Sequence, residues 1–433
     1  MRISDNRRYL VEDDGAPFFY LADTAWGFFY QASTEEAEHY LRVRHEQGFT
    51  VIMPVLVWED LPRTDDYYGR WPFLENDPTR PDEAFFRHVD HLVGVANGLG
   101  MTMAMLPSWG SYVAPPRREG DLALLTPDNA RAYGEFLGQR YADARVIWVL
   151  GGDRNLQPDQ PEYAQVWEEM ALGLDAGNGG GQLMTFHPTG VPPCSSSQWY
   201  HESPWLDYHM FQTSTRLELD YCNTLLADYN RQPVKPFVDG ETRYEHSHRF
   251  FHRQMPYGVR MTPQRVRQVA YYALLCGALG HTYGCRDVWS FYVPSARTRD
   301  RDVDIYWRDA LHLPAAEQLR HLKALFTEYP WYTLVPDQDG SLVCRGSMED
   351  NLRIQGALAR DGSYALVYIP EPMPVWIDLS KLSRGTVDAS WFEPTTGRYT
   401  FFQRYHDAQT VRFAPEDEAG DRVLVLAARS IPA

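Results

Sequence analysis

The sequence predicts an α/β fold: a (β/α)8 TIM barrel over residues 1–335, followed by a small all-β sandwich over residues 336–433. Three observations predict it. Short apolar runs alternate with helix-period segments up to about residue 330, the pattern of repeated βα units around a parallel sheet. Eight such runs occur, and the place after the first strand holds "ADTAWGFF" instead of a glycine-rich phosphate loop, which favours a closed barrel over an open doubly wound sheet. Beyond residue 341 the texture changes to alternating segments such as "SYALVYIPE", "PVWIDLS" and "DRVLVLAA", separated by turn residues, as in a β-sandwich module.

The strands read, in order, 17–26 (PFFYLADTAW), 49–58 (FTVIMPVLVW), 101–109 (MTMAMLPSW), 145–153 (RVIWVLGGD), 183–188 (LMTFHP), 206–212 (LDYHMFQ), 235–241 (KPFVDGE) and 280–289 (GHTYGCRDVW). Helices fall between them. Segment 33–48 opens on the capping box Ser33 to Glu36 and closes on Gly48, where a left-handed residue is wanted. Segment 262–280 starts with Thr262 as N-cap and Pro263 at the first helical position. Further helical segments are 80–100, 126–143, 161–177 and 216–230.

Composition excludes several functions. The 433 residues carry a net charge of −17, with 58 acidic against 41 basic residues, so a nucleic-acid partner is repelled. No run of about 18 apolar residues exists, and "MRISDNRRYLVEDDG" lacks the apolar segment of a signal peptide, so no membrane association and a cytoplasmic location are expected. The five cysteines are odd in number and without a CxxC pair, which fits reduced thiols better than disulfides or zinc. Aromatic content reaches 14%, with 13 Trp and 27 Tyr, and rings are the surfaces on which sugars are held.

The chemistry is read from strand ends, which share one mouth in a barrel. "VIWVLGGD" ends an apolar strand with two glycines and Asp153; "KPFVDGE" repeats that grammar and ends on Glu241. Acids on strands four and seven face one another across the mouth, as glycoside hydrolysis requires: one carboxyl protonates the departing oxygen while an ionised one attacks the sugar. Asp153 is the expected acid/base and Glu241 the expected nucleophile, with Arg154, Asn155, Arg243 or Tyr244 as neighbours that separate their protonation states. Glu245 is a rival nucleophile, and Asp239 a weaker one, placed by strand alternation on the side of Glu241 but deeper in the barrel.

Other strand ends supply expected sugar-binding groups: Asp23 and Trp26, Trp58 and Glu59, Trp109, Asn155, His187, Gln212, Tyr244, Tyr283 and Trp289. Carboxylates and amides grip hydroxyls, and indoles floor a subsite. Asp153, His187, His209, Glu241 and His281 could in principle gather a metal, but the HxH pattern is missing where the first strand ends, so no metal and no cofactor is expected. In the loop after the second strand, Tyr67, Tyr68, Trp71 and Phe73 either narrow the pocket or pack on its rim.

Several motifs together, "RRYLVEDDGAPFFYLADTAW", "WVLGGDRN", "FHPTGVPPCSSSQW", "VDGETRYE" and "GHTYGCRDVW", resemble the apiosidase-like glycoside hydrolases related to glycoside hydrolase family 140, over nearly the whole chain. The resemblance implies a retaining, clan-A barrel followed by a β-domain of the collagen-binding type, with the acid/base on Asp153 and the nucleophile on Glu241. One departure stands out. Relatives end the sixth strand in Gln-Ser-Gly-His, and this chain has Gln212, Thr213, Ser214 and Thr215, which removes a histidine from the sugar site and speaks against apiose itself. The expected function is a retaining exo-glycosidase that takes a terminal pentose, furanose or deoxy-sugar from a small oligosaccharide or glycoside. A non-catalytic carbohydrate-binding protein and a transglycosylase are the alternatives, and homo-oligomerisation stays open.

Overall fold

The computed structural model describes residues 1–429 apart from 59–64, 119, 192–193, 216–218, 249–259, 295–301, 384, 408 and 416–419. The chain forms a (β/α)8 barrel with an all-β sandwich packed on one of its helices. The barrel strands are β1 (Tyr20–Thr24), β2 (Val51–Met53), β3 (Thr102–Met105), β4 (Val146–Gly151), β5 (Met184–His187), β6 (His209–Gln212), β7 (Phe237–Glu241) and β8 (Gly280–Tyr283). Six of them pair in parallel in the order β8-β1-β2-β3-β4-β5, and β6 pairs with β7. Main-chain bonds stitch the two seams: Asp207 N–H to Met184 O at 2.9 Å between β5 and β6, and Leu279 N–H to Phe237 O and Glu245 N–H to Gly284 O, both at 2.9 Å, between the chains of β7 and β8.

Each strand buries both faces, as parallel strands wrapped by helices must. Along β4, Ile147 and Val149 join the apolar cluster inside the barrel, while Trp148 and Leu150 join the cluster under the helices. The same parity sorts β1, where Tyr20 and Ala22 point in and Leu21 points out, and β6, where Tyr208 and Met210 point in and Phe211 points out. The barrel strands are shorter than the apolar runs. Pro17–Phe18 leaves the first run to pair with Leu10–Val11 in a small antiparallel sheet, and Leu10 and Phe18 plug the bottom of the barrel.

The helices cap as their sequences direct. In α1 (Thr34–Glu46) the capping box of Ser33 and Glu36 is formed, and Gly48 takes φ +92°. Next come α2 (Glu83–Gly98), α3 (Pro127–Arg140), α4 (Pro161–Asn178) and the short α5 (Ser197–Tyr200). The helix expected from residue 216 begins later, as α6 (Tyr221–Tyr229), because the Asp220 side chain accepts the Asn223 N–H and caps it there. Thr262 caps α7 (Pro263–Leu275); the short α8 (Arg286–Trp289) and α9 (Trp307–Ala310) precede α10 (Pro314–Glu328).

The sandwich contains β9 (Leu334–Pro336), β10 (Val343–Arg345), β11 (Gln355–Ala359), β12 (Tyr364–Ile369), β13 (Val375–Asp378), β14 (Thr386–Glu393), β15 (Arg398–His406), β16 (Thr410–Phe413) and β17 (Arg422–Arg429). A six-stranded antiparallel sheet, β9-β11-β12-β17-β14-β15, faces a three-stranded sheet, β10-β13-β16. Val367, Ile377, Phe413 and Leu424 fill the space between them. The outer face of the larger sheet lies on α7: Tyr271 stacks on Tyr368 at 4.9 Å and 4°, and the buried Arg267 pairs with Asp421. Among the described residues the five cysteines form no disulfide. Among the described residues no helix is long and apolar enough to cross a membrane.

Candidate active site

Asp153 leaves the top of β4 through a turn that only glycine permits. A Cβ on Gly151, at φ +92°, would stand 2.4 Å from His187 O, and one on Gly152, at φ +122°, 2.9 Å from Gly110 N. Gly152 N–H donates to His187 O at 3.0 Å and Gly152 O accepts from Gly110 N–H at 3.0 Å, so the turn is pinned to both neighbouring strand ends. Asp153 itself takes φ +51°, a left-handed backbone that costs a non-glycine residue on the order of 1 kcal/mol. Its carboxylate is partly exposed, and among the described residues it makes no hydrogen bond or ion pair.

Glu241 reaches the mouth by a different device. Regular alternation from Phe237, which faces the helices, would send both Asp239 and Glu241 outward. The register of β7 on β6 slips between Asp239 and Glu241, and this bulge at Gly240 turns Glu241 back toward the barrel axis. Gly240 lies against Met210, where a Cβ would fall 2.5 Å from Sδ. The Glu241 carboxylate, 15% exposed, lies 3.3 Å from Nε2 of the fully buried His187. The Tyr244 hydroxyl accepts the Trp26 indole N–H at 3.2 Å; burial first, and the Glu241 charge second, hold this phenol well above its ordinary pKa.

Rings enclose these groups. Trp26 stacks near Trp58 at 6.3 Å, and Trp109 meets both edge-on at 5.1 and 5.0 Å. Trp289 closes on Trp58 at 5.8 Å and Tyr244 on Trp289 at 6.5 Å, while His187 contacts Trp26 and Trp109. Gln212 pairs in register with Glu241. Both His187 ring nitrogens, Gln212 Oε1 and Trp289 Nε1 are buried without a hydrogen-bond partner, which is costly unless a ligand or water satisfies them.

Several expected site residues lie elsewhere. Asp23 and Tyr283 fall on the outward parity of β1 and β8. Asp23 accepts from the buried Arg44 at 2.5 Å and from Tyr40 at 2.7 Å, and Tyr283 donates to Glu245 at 2.7 Å. Asn155 holds the loop after β5, accepting Thr189 N–H and donating to Val191 O. Of the neighbours expected to tune the acids, Arg154 is engaged by Val113 O and Gln160, and Arg243 by Gln268 and Asn351; Tyr244 alone of the four faces Glu241. Glu59 lies outside the described residues. Trp71 and Phe73 are buried against Tyr30 and Tyr133 respectively, and Tyr68 accepts the Thr34 N–H at the start of α1, so these three pack on the rim.

The rival acids are structural. Glu245 accepts Ala315 and Ala316 N–H at 2.8 and 3.3 Å and caps α10. Asp239, fully buried on the helix side, is held by Thr213 and does not share a side with Glu241 as expected, because the Gly240 bulge comes between them; burial pushes its carboxyl up to about 6. Of the residues considered for a metal, His209 pairs with Asp228 at 3.2 Å under the helices, and burial depresses His281 to about 3. Among the described residues the ligand-type side chains that converge are instead His246, Asp287 and Asp304, with Arg260 already on Asp304.

Residues 4–333 match the family model "Apiosidase-like, catalytic domain". The chain belongs to this family. It is a glycoside hydrolase, and its substrate is a carbohydrate. Residues 335–427 match the model "Putative collagen-binding domain of a collagenase". A solved glycoside hydrolase superimposes with a TM-score of 0.88 at 27% identity, covering 100% of this chain and 97% of the other. A glycoside hydrolase family 5 protein from Bacteroides vulgatus superimposes with 0.87 at 27% identity, covering 99% and 93%. A family 5 mannosidase from Rhizomucor miehei shares the fold at 12% identity, with a TM-score of 0.54 over 76% of this chain and 97% of its own. No curated protein matches the sequence.

Proposed function

We propose that this hydrolase is a retaining exo-glycosidase with Glu241 as nucleophile and Asp153 as acid/base. One observation carries the reading. Of the acids at or near the ends of β1, β4 and β7, Asp23 is tied to an arginine, Glu245 to a helix end and Asp239 to Thr213; Asp153 and Glu241 alone of these are partly exposed, Asp153 following Gly152, which lies against Trp109, and Glu241 beside His187. In the double displacement, a Glu241 oxygen forms a bond to the anomeric carbon as the glycosidic C–O bond breaks, and Asp153 gives its proton to the departing oxygen. Asp153, now ionised, takes a proton from water, which attacks the anomeric carbon and releases Glu241.

The Trp26, Trp58, Trp109 and Trp289 rings cluster against one another, with Trp26 and Trp109 on the His187 ring beside Glu241, which supports removal of one terminal residue, a pentose, furanose or deoxy-sugar, from a small oligosaccharide or glycoside. Gln212-Thr213-Ser214-Thr215 offers no histidine at the end of β6, which supports a sugar other than apiose. We place the catalytic unit in residues 1–335 and the sandwich unit in 336–433. A panel of nitrophenyl pyranosides and furanosides identifies the sugar, and NMR of the first-formed anomer tests retention. Glu241→Gln and Asp153→Asn should each cut turnover by orders of magnitude; unchanged turnover in either removes that residue from its role.

A further inference from the structure

We propose that the outer face of the sandwich's smaller sheet binds a saccharide carrying carboxylate or sulfate groups. Along β13, Val375 and Ile377 point into the sandwich core, so Trp376 between them points away from it. Arg345 on β10 and Arg412 on β16 stand directly opposite Trp376 across the two ladders. Arg345 reaches that position because β10 bulges at Cys344: Val343 pairs with Ile377 and Arg345 with Trp376, so the extra residue turns Arg345 onto the outer face. The guanidinium carbons lie 4.7 and 5.7 Å from the indole centroid.

These two cations lack acids. Among the described residues neither Arg345 nor Arg412 makes an ion pair or hydrogen bond. Three other exposed arginines of the sandwich have acid partners: Arg404 and Arg429 share Asp388, and Arg398 pairs with Glu393. The acid on the outer face of β13, Asp378, accepts from Ser380 N–H at 3.0 Å and Ser380 Oγ at 2.6 Å. In a chain with a net charge of −17, two unpaired forks fixed on either side of an indole form a local positive site. Each fork presents planar N–H donors that match a carboxylate or sulfate. The indole adds an apolar surface for the C–H face of a sugar ring. The overall negative charge disfavours a long polyanion, so the ligand is short or sparsely charged.

The saccharide class rests on the chain being a glycoside hydrolase; the anion requirement rests on the two arginines, and neither depends on which acids are catalytic. Calorimetry of the full chain with an oligogalacturonide of three to five residues tests both, with the fully methyl-esterified oligosaccharide as the uncharged control. The acid form should bind, the ester about tenfold or more weaker, and the Arg345→Gln/Arg412→Gln variant likewise, with an unchanged melting temperature. Trp376→Ala should weaken binding as well, and Glu241→Gln should leave it intact, whatever that substitution does to turnover. The proposal is overturned by no binding of the acid form, by equal binding to the double-arginine variant, by loss of binding in Glu241→Gln, or by inorganic sulfate binding as tightly as the saccharide. A triple-helical collagen peptide that binds this face in preference to the saccharide overturns it too.

Discussion

His187 Nε2 stands 3.3 Å from Glu241 Oε2, and the imidazole is sealed from water between Trp26 and Trp109. A donor at Nε2 in this low-dielectric setting stabilises the ionised carboxylate that an attacking group needs. The contact does not meet hydrogen-bond geometry; tightened into a charge-assisted hydrogen bond as the sugar reacts, it contributes about 1.5–3 kcal/mol, so His187→Phe should lower kcat/KM by roughly ten- to a hundredfold. His187→Gln, which keeps an N–H donor, should recover part of the loss. Wild-type kcat/KM in His187→Phe would show that this contact does nothing for the reaction.

The bulge at Gly240 predicts an effect out of proportion to one methyl group. Its Cβ would meet Met210 Sδ at 2.5 Å, and relief requires either the Met210 side chain, packed inside the barrel, or the end of β7 to move. Overpacking of this kind costs about 1–3 kcal/mol of stability, and a displaced nucleophile loses more than that in rate. Gly240→Ala should therefore retain a folded barrel by calorimetry, with kcat reduced at least about tenfold and KM changed far less. An unaltered kcat would mean that the bulge does not position Glu241.

Glu241 and Glu245 are separable by chemical rescue. Removing the Glu241 side chain leaves a space beside the sugar, so Glu241→Gly should regain turnover in azide and form a glycosyl azide. Glu245→Gly strips the Ala315 and Ala316 N–H groups and the Tyr283 hydroxyl of their acceptor. Each unsatisfied buried group costs about 1–3 kcal/mol, so this variant should lose several degrees of melting temperature and show no azide product. Azide rescue of Glu245→Gly would exchange the two assignments.

The alternation that made the strands recognisable also carried information on their ends. Leu21 and Ala22 mark opposite faces of β1; counting on from Leu21 sends Asp23 to the helices and returns Trp26 to the mouth, where they are found. The same count sends His209 outward and Gln212 inward. Strand-end residues gathered without regard to parity mix the two sets. Parity itself fails at Gly240 and Cys344, because a bulge adds one residue and reverses the face of the residues after it, and a glycine or cysteine at that point does not announce it. Long-range partners were equally silent in the sequence: Asp23 with Arg44 and Glu245 with the start of α10 become visible when the helices pack. The strand-glycine-acid pattern at Asp153 and Glu241 was legible because the need for a tight exit from a buried strand is local.

Asp239 predicts a pH dependence of stability with a definite sign. Its carboxyl, raised by burial to about 6 from an ordinary value of 3.8, binds a proton more tightly in the folded than in the unfolded chain. Its contribution to stability is therefore full below about pH 4 and declines as pH rises toward about 6, because the folded state there must give up a proton or bear a buried charge. A shift of this size corresponds to roughly 3 kcal/mol across the window. Asp239→Asn removes the titration and keeps an acceptor for Thr213. Urea unfolding at intervals from pH 4 to 7 should show wild type losing stability relative to Asp239→Asn as pH rises, with the difference levelling off above about pH 6.5. A constant difference across that range would place the carboxyl's titration outside it, and a difference growing as pH falls would reverse the sign and show that the carboxylate, held by Thr213, is the form the fold prefers.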